Sequence, residues 1–234
     1  MSAKPDTATP ASSAAAVGPR RLRADAARNR QRLIDAAAEV FAERGLDATL
    51  DDIARHAGVN VATAYRHFAN KHELAREFLR QCVDQAVAIA EEAAAEPDPW
   101  AGLTHFLERS LELIAHNRAL VDVLKRGYGA EQFAELLERT TAALEQLLAR
   151  ARAAGVVRED VAATDFPPIL EMLAAITGLG IPGVPAVPHR YIGLVLAGLR
   201  PGQYRLPSKP PSQELLRRVA QTKPERLQGA GSLT

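Results

Sequence analysis

Thr63, Tyr65, Arg66 and His67 crowd one short stretch, AGVNVATAYRHF at residues 57–68. The stretch has a helical period, yet its apolar stripe holds little more than Val61, Ala64 and Phe68, so burial leaves the opposite polar face unexplained. The chemistry available on that face is hydrogen bonding to a nucleic acid. Arg66 carries a fork that matches the two acceptors of a guanine edge, and Thr63 offers a methyl to thymine or a hydroxyl to a phosphate. Tyr65 and His67 can donate to backbone oxygens. At about 100° per residue, Ala62 shares the face with Thr63, Arg66 and His67, while Tyr65 stands at its edge. Lys71 follows at the start of the next helix, where its charge and the free amides favour a phosphate, and Thr49 holds the same place at the start of the preceding one. Taken singly, each of these residues is equally a solvated surface group; the ensemble points to a partner.

Such a face needs a rigid mount, and the flanking sequence supplies one. Leu33, Ile34, Ala37, Val40 and Phe41 recur at helical offsets from Ala24 onward, and Gly45 suits the left-handed residue that stops the helix. Thr49 is a hydroxyl N-cap with Asp52 three residues on, which predicts a second helix of barely two turns through Ile53 and Ala54 to Gly58. Asn60 caps the third helix and Asn70 a long fourth over 71–95, with Leu74, Phe78, Cys82 and Ile89 on one stripe. Two short helices joined by a glycine turn and seated on a first form a helix-turn-helix, whose last helix enters the major groove of duplex DNA.

The break at EPDPW, where Pro97 stops one helix and Asp98 and Pro99 cap and start another, divides the chain. Helical periods then cover 99–116, 118–125, 130–154, 165–177 and 188–199, with one short helix at 213–220; nothing has the period of two that strands require. The expected fold is therefore all-α: a disordered basic arm at 1–23, a helix-turn-helix domain with its linking helix at 24–95, a helical ligand-binding and dimerisation domain at 96–199, and a basic, Pro-containing tail at 200–234.

Composition narrows the function classes. The chain has 234 residues with a net charge of +1, but residues 20–32 carry +5, residues 200–234 carry +5, and the body at 33–199 carries −9. Basic ends on an acidic body are a footprint of a polyanion partner, although solvated tails share it. No apolar run approaches the ~20 residues of a membrane span, and the opening residues lack the pattern of a secretory signal. One cysteine, Cys82, forms no internal disulfide and reads as a small buried hydrophobe, in keeping with a cytoplasmic location. An enzyme or small-molecule carrier is the competing class. Against it, the chain has no Gly-rich phosphate loop, no nucleophile elbow, no HExxH and no paired Glu-x-x-His set; His105 with His116, and His67 with His72, lack metal-ligand spacing. No cofactor and no metal are expected.

Thr49, Ile53-Ala54, Ala57-Gly58-Val59, Thr63, Tyr65, His67-Phe68, Lys71 and Leu74, with Gly45 upstream, reproduce the pattern of the tetracycline-repressor (TetR) family, which the chain resembles over about residues 27–75. Ala64 stands where a larger apolar residue is commoner, and Val61 with Ala62 replace polar or glycine residues. The resemblance implies an all-helical homodimer whose amino-terminal domains each read half of a palindromic operator, usually repressing transcription until a small molecule binds the carboxy-terminal domain. It assigns DNA contacts to Thr49, Asn60, Ala62, Thr63, Tyr65, Arg66, His67 and Lys71. By analogy the last two helices, at about 165–199 with Ala174, Ala175, Gly178, Gly193, Ala197 and Gly198, form a four-helix dimer interface, for which an intrachain core is the alternative. Trp100, Phe106, Arg109, Tyr128, Phe133 and Met172 are candidate pocket residues with core as the commoner role, so no ligand residue is assigned. A DNA-binding dimer that answers to a protein partner, or to nothing, is equally compatible with the sequence.

Overall fold

The head forms because each of its helices carries its own start and stop signals. In the computed structural model, which describes residues 19–117, 130–177 and 187–221, α1 spans Pro19–Arg44 and ends in a short 3-10 turn at Gly45–Asp47, where Gly45 has φ 64°. Helix α2 (Leu50–His56) starts at a complete capping box: the Thr49 hydroxyl accepts from the Asp52 amide at 3.1 Å and the Asp52 carboxylate accepts from the Thr49 amide at 3.0 Å. Helix α3 (Val61–His67) is capped by Asn60, which accepts from the Ala62 amide at 2.9 Å. Asn70 caps α4 (Lys71–Ala95) through the His72 and Glu73 amides, both at 3.0 Å.

These helices close around one core. Leu33, Ile34, Ala37, Val40 and Phe41 of α1 meet Ile53 and Ala54 of α2, Ala64 of α3, Phe68, and Leu74, Phe78 and Cys82 of α4. Burial pushes the Cys82 thiol up to about 12, which keeps it a neutral packing group as expected. Further along, α4 turns Ile89, Ala90 and Ala93 into a second core with Leu103, Phe106 and Leu107 of α5 (Pro99–His116), Leu144, Leu147 and Leu148 of α6 (Ala130–Ala153), Phe166 and Leu173 of α7 (Phe166–Thr177), and Ile192 and Leu199 of α8 (Val187–Leu199). One rod of 25 residues thus belongs to both cores. Arg150 of α6 fastens its far end, donating to the carbonyls of Ala94, Glu96 and Pro97 at 2.5, 2.6 and 2.8 Å. Charge and carbonyl dipoles align there, as cations favour a helix C-terminus.

The all-helical expectation holds: the described residues contain nine α-helices and no strand, and the described helices from α2 to α8 start within about a residue of where they were read. Two differences stand out. Residues 19–23, expected in a disordered arm, are the first turn of α1. Pro19 has its φ preset for a first helical position and lacks the amide that would go unsatisfied there, and no breaker follows it. The stretch after α8 is not a free tail either. Arg158 donates to the Tyr204 carbonyl at 2.5 Å and pairs with Asp160, whose carboxylate accepts from the Leu206 amide at 2.9 Å, while Arg200 stacks 3.5 Å from the Trp100 ring centroid. Helix α9 (Gln213–Gln221) then packs on α6, with Arg217 3.9 Å from Glu138. Sequence polarity hid this because each anchor lies 40 or more residues away along the chain. The expected lead before residue 19, the helix at 118–125, Tyr128, Gly178 with the linker at 178–186, and the tail after 221 lie outside the described residues, as does the side chain of Phe133.

Candidate nucleic-acid interface

Helix α3 is held from below by very little of itself. Ala64 is its one buried residue, Val61 is half-buried against the head core, and Phe68, the C-cap, is buried just after it. A side chain as small as Ala64 lets α3 sit close on the tripod, and the turn before it is equally tight. The Val59 amide donates to the Ala54 carbonyl at 2.9 Å and the Gly58 amide to that of Arg55 at 3.1 Å, a Schellman closure that requires the positive φ of 61° at Gly58.

What remains outward is the polar face. Ala62, Tyr65 and Arg66 are exposed, Thr63 and His67 are half-buried, and Tyr65, expected at the edge of the face, has 52% of its surface open to solvent. Among the described residues the Arg66 guanidinium makes no ion pair, so its fork is available. The neighbouring Asp51 carboxylate of α2, as a hydrogen-bond acceptor and then as a charge, pushes the Tyr65 phenol up, so it stays a protonated donor. Lys71 is half-buried at the first position of α4.

Thr49 and Asn60 are exposed but engaged in their helices. Besides accepting from the Asp52 amide, the Thr49 hydroxyl donates to the Asp52 carboxylate at 2.6 Å, and this bond leads the effects that hold the Asp52 carboxyl below its ordinary value. Asn60 spends its side-chain oxygen on the cap and keeps its amide NH2. The structure therefore brings all eight expected residues onto α3 and the two flanking helix starts, with Tyr65 and Arg66 the most open of the large ones.

Sequence reasoning missed the residues that hold this surface in place. Asp51 raises the Tyr65 phenol, Arg44 and Arg55 pair with Asp52 at 3.7 and 3.1 Å, and His56 Nε2 lies 2.6 Å from Glu39 on α1. The alternation of charge around α2 is the one sequence signal that could have found them. Of the candidate pocket residues, Phe106 is core, edge-on to Phe166 with centroids 5.7 Å apart; Arg109 is an exposed partner of Glu112 at 2.5 Å; Met172 is exposed. No group of three or more His, Cys, Asp or Glu able to hold a metal ion occurs among the described residues.

Comparison with known proteins agrees with this geometry. Residues 33–78 match the family model of bacterial regulatory proteins of the tetR family, and residues 98–201 match that of the SbtR-like transcriptional regulator C-terminal domain. The chain is 40% identical over 119 residues to the uncharacterised HTH-type transcriptional regulator TtgW of Pseudomonas putida, covering 50% of this chain and 78% of that one. It is 30% identical over 197 residues to the HTH-type transcriptional repressor KstR2 of Mycolicibacterium smegmatis, covering 76% and 93%. The crystal structure of the TetR regulator SCO0520 from Streptomyces coelicolor superposes with a TM-score of 0.57 at 32% identity, over 74% of this chain and 98% of that one. With its head, its small-cored reading helix and its helical body all accounted for, the chain belongs to the TetR family of DNA-binding bacterial transcriptional regulators.

Proposed function

We propose that the protein is a ligand-responsive repressor, not an enzyme, that binds a palindromic operator as a homodimer and leaves it when a small molecule enters the carboxy-terminal domain. The observation that carries the reading is the outward face of α3: Tyr65 and Arg66 exposed on a helix that buries one alanine. In this reading α3 lies in the major groove, Ala62, Thr63 and Arg66 meet base edges, and Tyr65, His67, Lys71, Thr49 and Asn60 fix the register on phosphates. Residues through 95 are the reading head, and 96–199 the responding body. A genomic DNA target calls for a cytoplasmic protein, and no helix among the described residues is long and apolar enough to cross a membrane.

The partner copy docks on α7 and α8, where Met172 and Leu194 are 53% and 56% exposed and Ala175, Gly193, Ala197 and Gly198 present a small-residue surface that allows close helix approach. Two heads about one DNA turn (~34 Å) apart gain affinity that one lacks. Because α4 belongs to both cores, a shift of the body moves the head, and the head spacing departs from that of the operator.

Selection of bound fragments from genomic DNA tests this. On a selected fragment, Tyr65→Ala should weaken binding with helical content and dimer mass unchanged. Arg66→Ala should cost about 1–3 kcal/mol and relax the preference at one position of each half-site, whereas Lys71→Ala should weaken all sequences alike and reduce the salt slope by about 1. Failure to retard any fragment at low ionic strength sinks the reading.

A further inference from the structure

In sequence the basic run RRLRADAARNRQR at 20–32 reads as the footprint of a polyanion partner, yet two of its arginines bond within the head. Arg32 on α1 donates from Nη2 to the Ala57 carbonyl at 2.5 Å and reaches the Gly58 carbonyl at 3.4 Å. Those oxygens close α2 and open the turn into α3, and a Cβ at Gly58 would lie 2.9 Å from the same Nη2. A guanidinium at the negative end of α2 is favoured by the helix dipole as well as by its hydrogen bonds. Arg30 holds the other end. Its guanidinium sits 4.9 Å from the ring centroid of Phe68, the C-cap of α3, and 3.0 Å from the Glu77 carboxylate on α4.

We infer that Arg30 and Arg32 are positioning residues for α3, gripping the turn before it and the residue after it, so that together they set the angle at which Thr63, Tyr65 and Arg66 meet the duplex. The inference rests on the operator reading and adds the residues that aim it. Arginines already satisfied within the protein release few counterions on binding DNA, which separates them from phosphate contacts in a salt titration.

The test uses the full chain with the duplex that the wild-type protein selects from genomic DNA and a scrambled duplex of equal length. Arg30→Ala and Arg32→Ala should each weaken binding to the selected duplex about tenfold, the scale of a lost charge-assisted hydrogen bond. Binding to the scrambled duplex should change less than about threefold, and the slope of log affinity against log salt should stay the same. Equal losses on both duplexes with a slope shallower by about 0.9 overturn the inference and make these residues phosphate contacts. A lowered melting temperature with an unchanged ratio of selected to scrambled affinity overturns it in favour of a merely structural role.

Glu77→Gln gives an answer of opposite sign in the two cases and serves also if the alanine variants do not fold. Losing the anchor of Arg30 should weaken selected binding if Arg30 aims α3; tighter binding, as a freed cation replaces a carboxylate, overturns the inference. A wild-type chain that selects no duplex removes the operator reading, and the inference with it.

Discussion

The amino-terminal head and the carboxy-terminal body differ in how their helices are started and tied. In the head, α2, α3 and α4 each start on a side chain, Thr49, Asn60 or Asn70, whose hydrogen-bond partners lie two or three residues away. In the body, Arg150 reaches carbonyls 53 to 56 residues earlier, and Arg158 a carbonyl 46 residues later. The head also covers its core within one chain, whereas α7 and α8 leave Met172, Tyr191 and Leu194 open to solvent. In the head, local caps start α2, α3 and α4, and the long-range contacts of Arg30 and Arg32 then fix where α3 points. The body, proposed to pair with a copy and to move the head, is instead tied together by contacts between distant segments.

Substitutions can break this contrast. Phe68→Ala removes a buried ring from the small head core and should lower unfolding free energy by about 3–5 kcal/mol in denaturant titration. A loss under 1 kcal/mol would mean that the head core does not depend on the end of α3. Leu194→Asp should leave helical content intact yet raise the dimer dissociation constant about a hundredfold, near 2.7 kcal/mol, as read by sedimentation; an unchanged dimer moves the interface away from α8. Thr49→Val keeps shape but removes the hydroxyl of the capping box and should cost about 1 kcal/mol. If it also flattens the salt dependence of DNA binding, Thr49 is a phosphate contact in addition to a cap.

The smallest expected effect is in acid. Hydrogen bonds from Arg80, then Arg30, draw the Glu77 carboxyl down to about 2 from its ordinary 4.5. A depressed carboxylate contributes stability that is fully present above the unfolded value and is lost as pH falls through the folded one. Head stability should therefore decline between about pH 4.5 and 2, and Glu77→Gln should flatten that part of the profile. An identical decline in the variant would assign the acid loss to other carboxylates.

How legible each part was follows from the same contrast. The capping residues of α2, α3, α4 and α5 and the polar face from Ala62 to His67 were readable because a cap and its amides, or a face and its stripe, lie within one or two helical turns. Arg30 and Arg32 were read only as part of a basic run, and residues 200–212 only as part of a basic tail, because a charged side chain carries no local mark of whether its partner is water, a phosphate or a carbonyl 25 or more residues away.

By itself the sequence determined that the described residues form helices without strands, where the helices after α1 begin, and which short rod carries the donors, since all of these depend on backbone hydrogen bonds and periodicities spanning a few residues. The tertiary structure alone decided that two basic residues brace α3, that α4 is shared by two cores, and that the segment after α8 is tied to the body. Those outcomes depend on which distant groups come within about 3 Å once the chain has closed, a distance that no local pattern encodes.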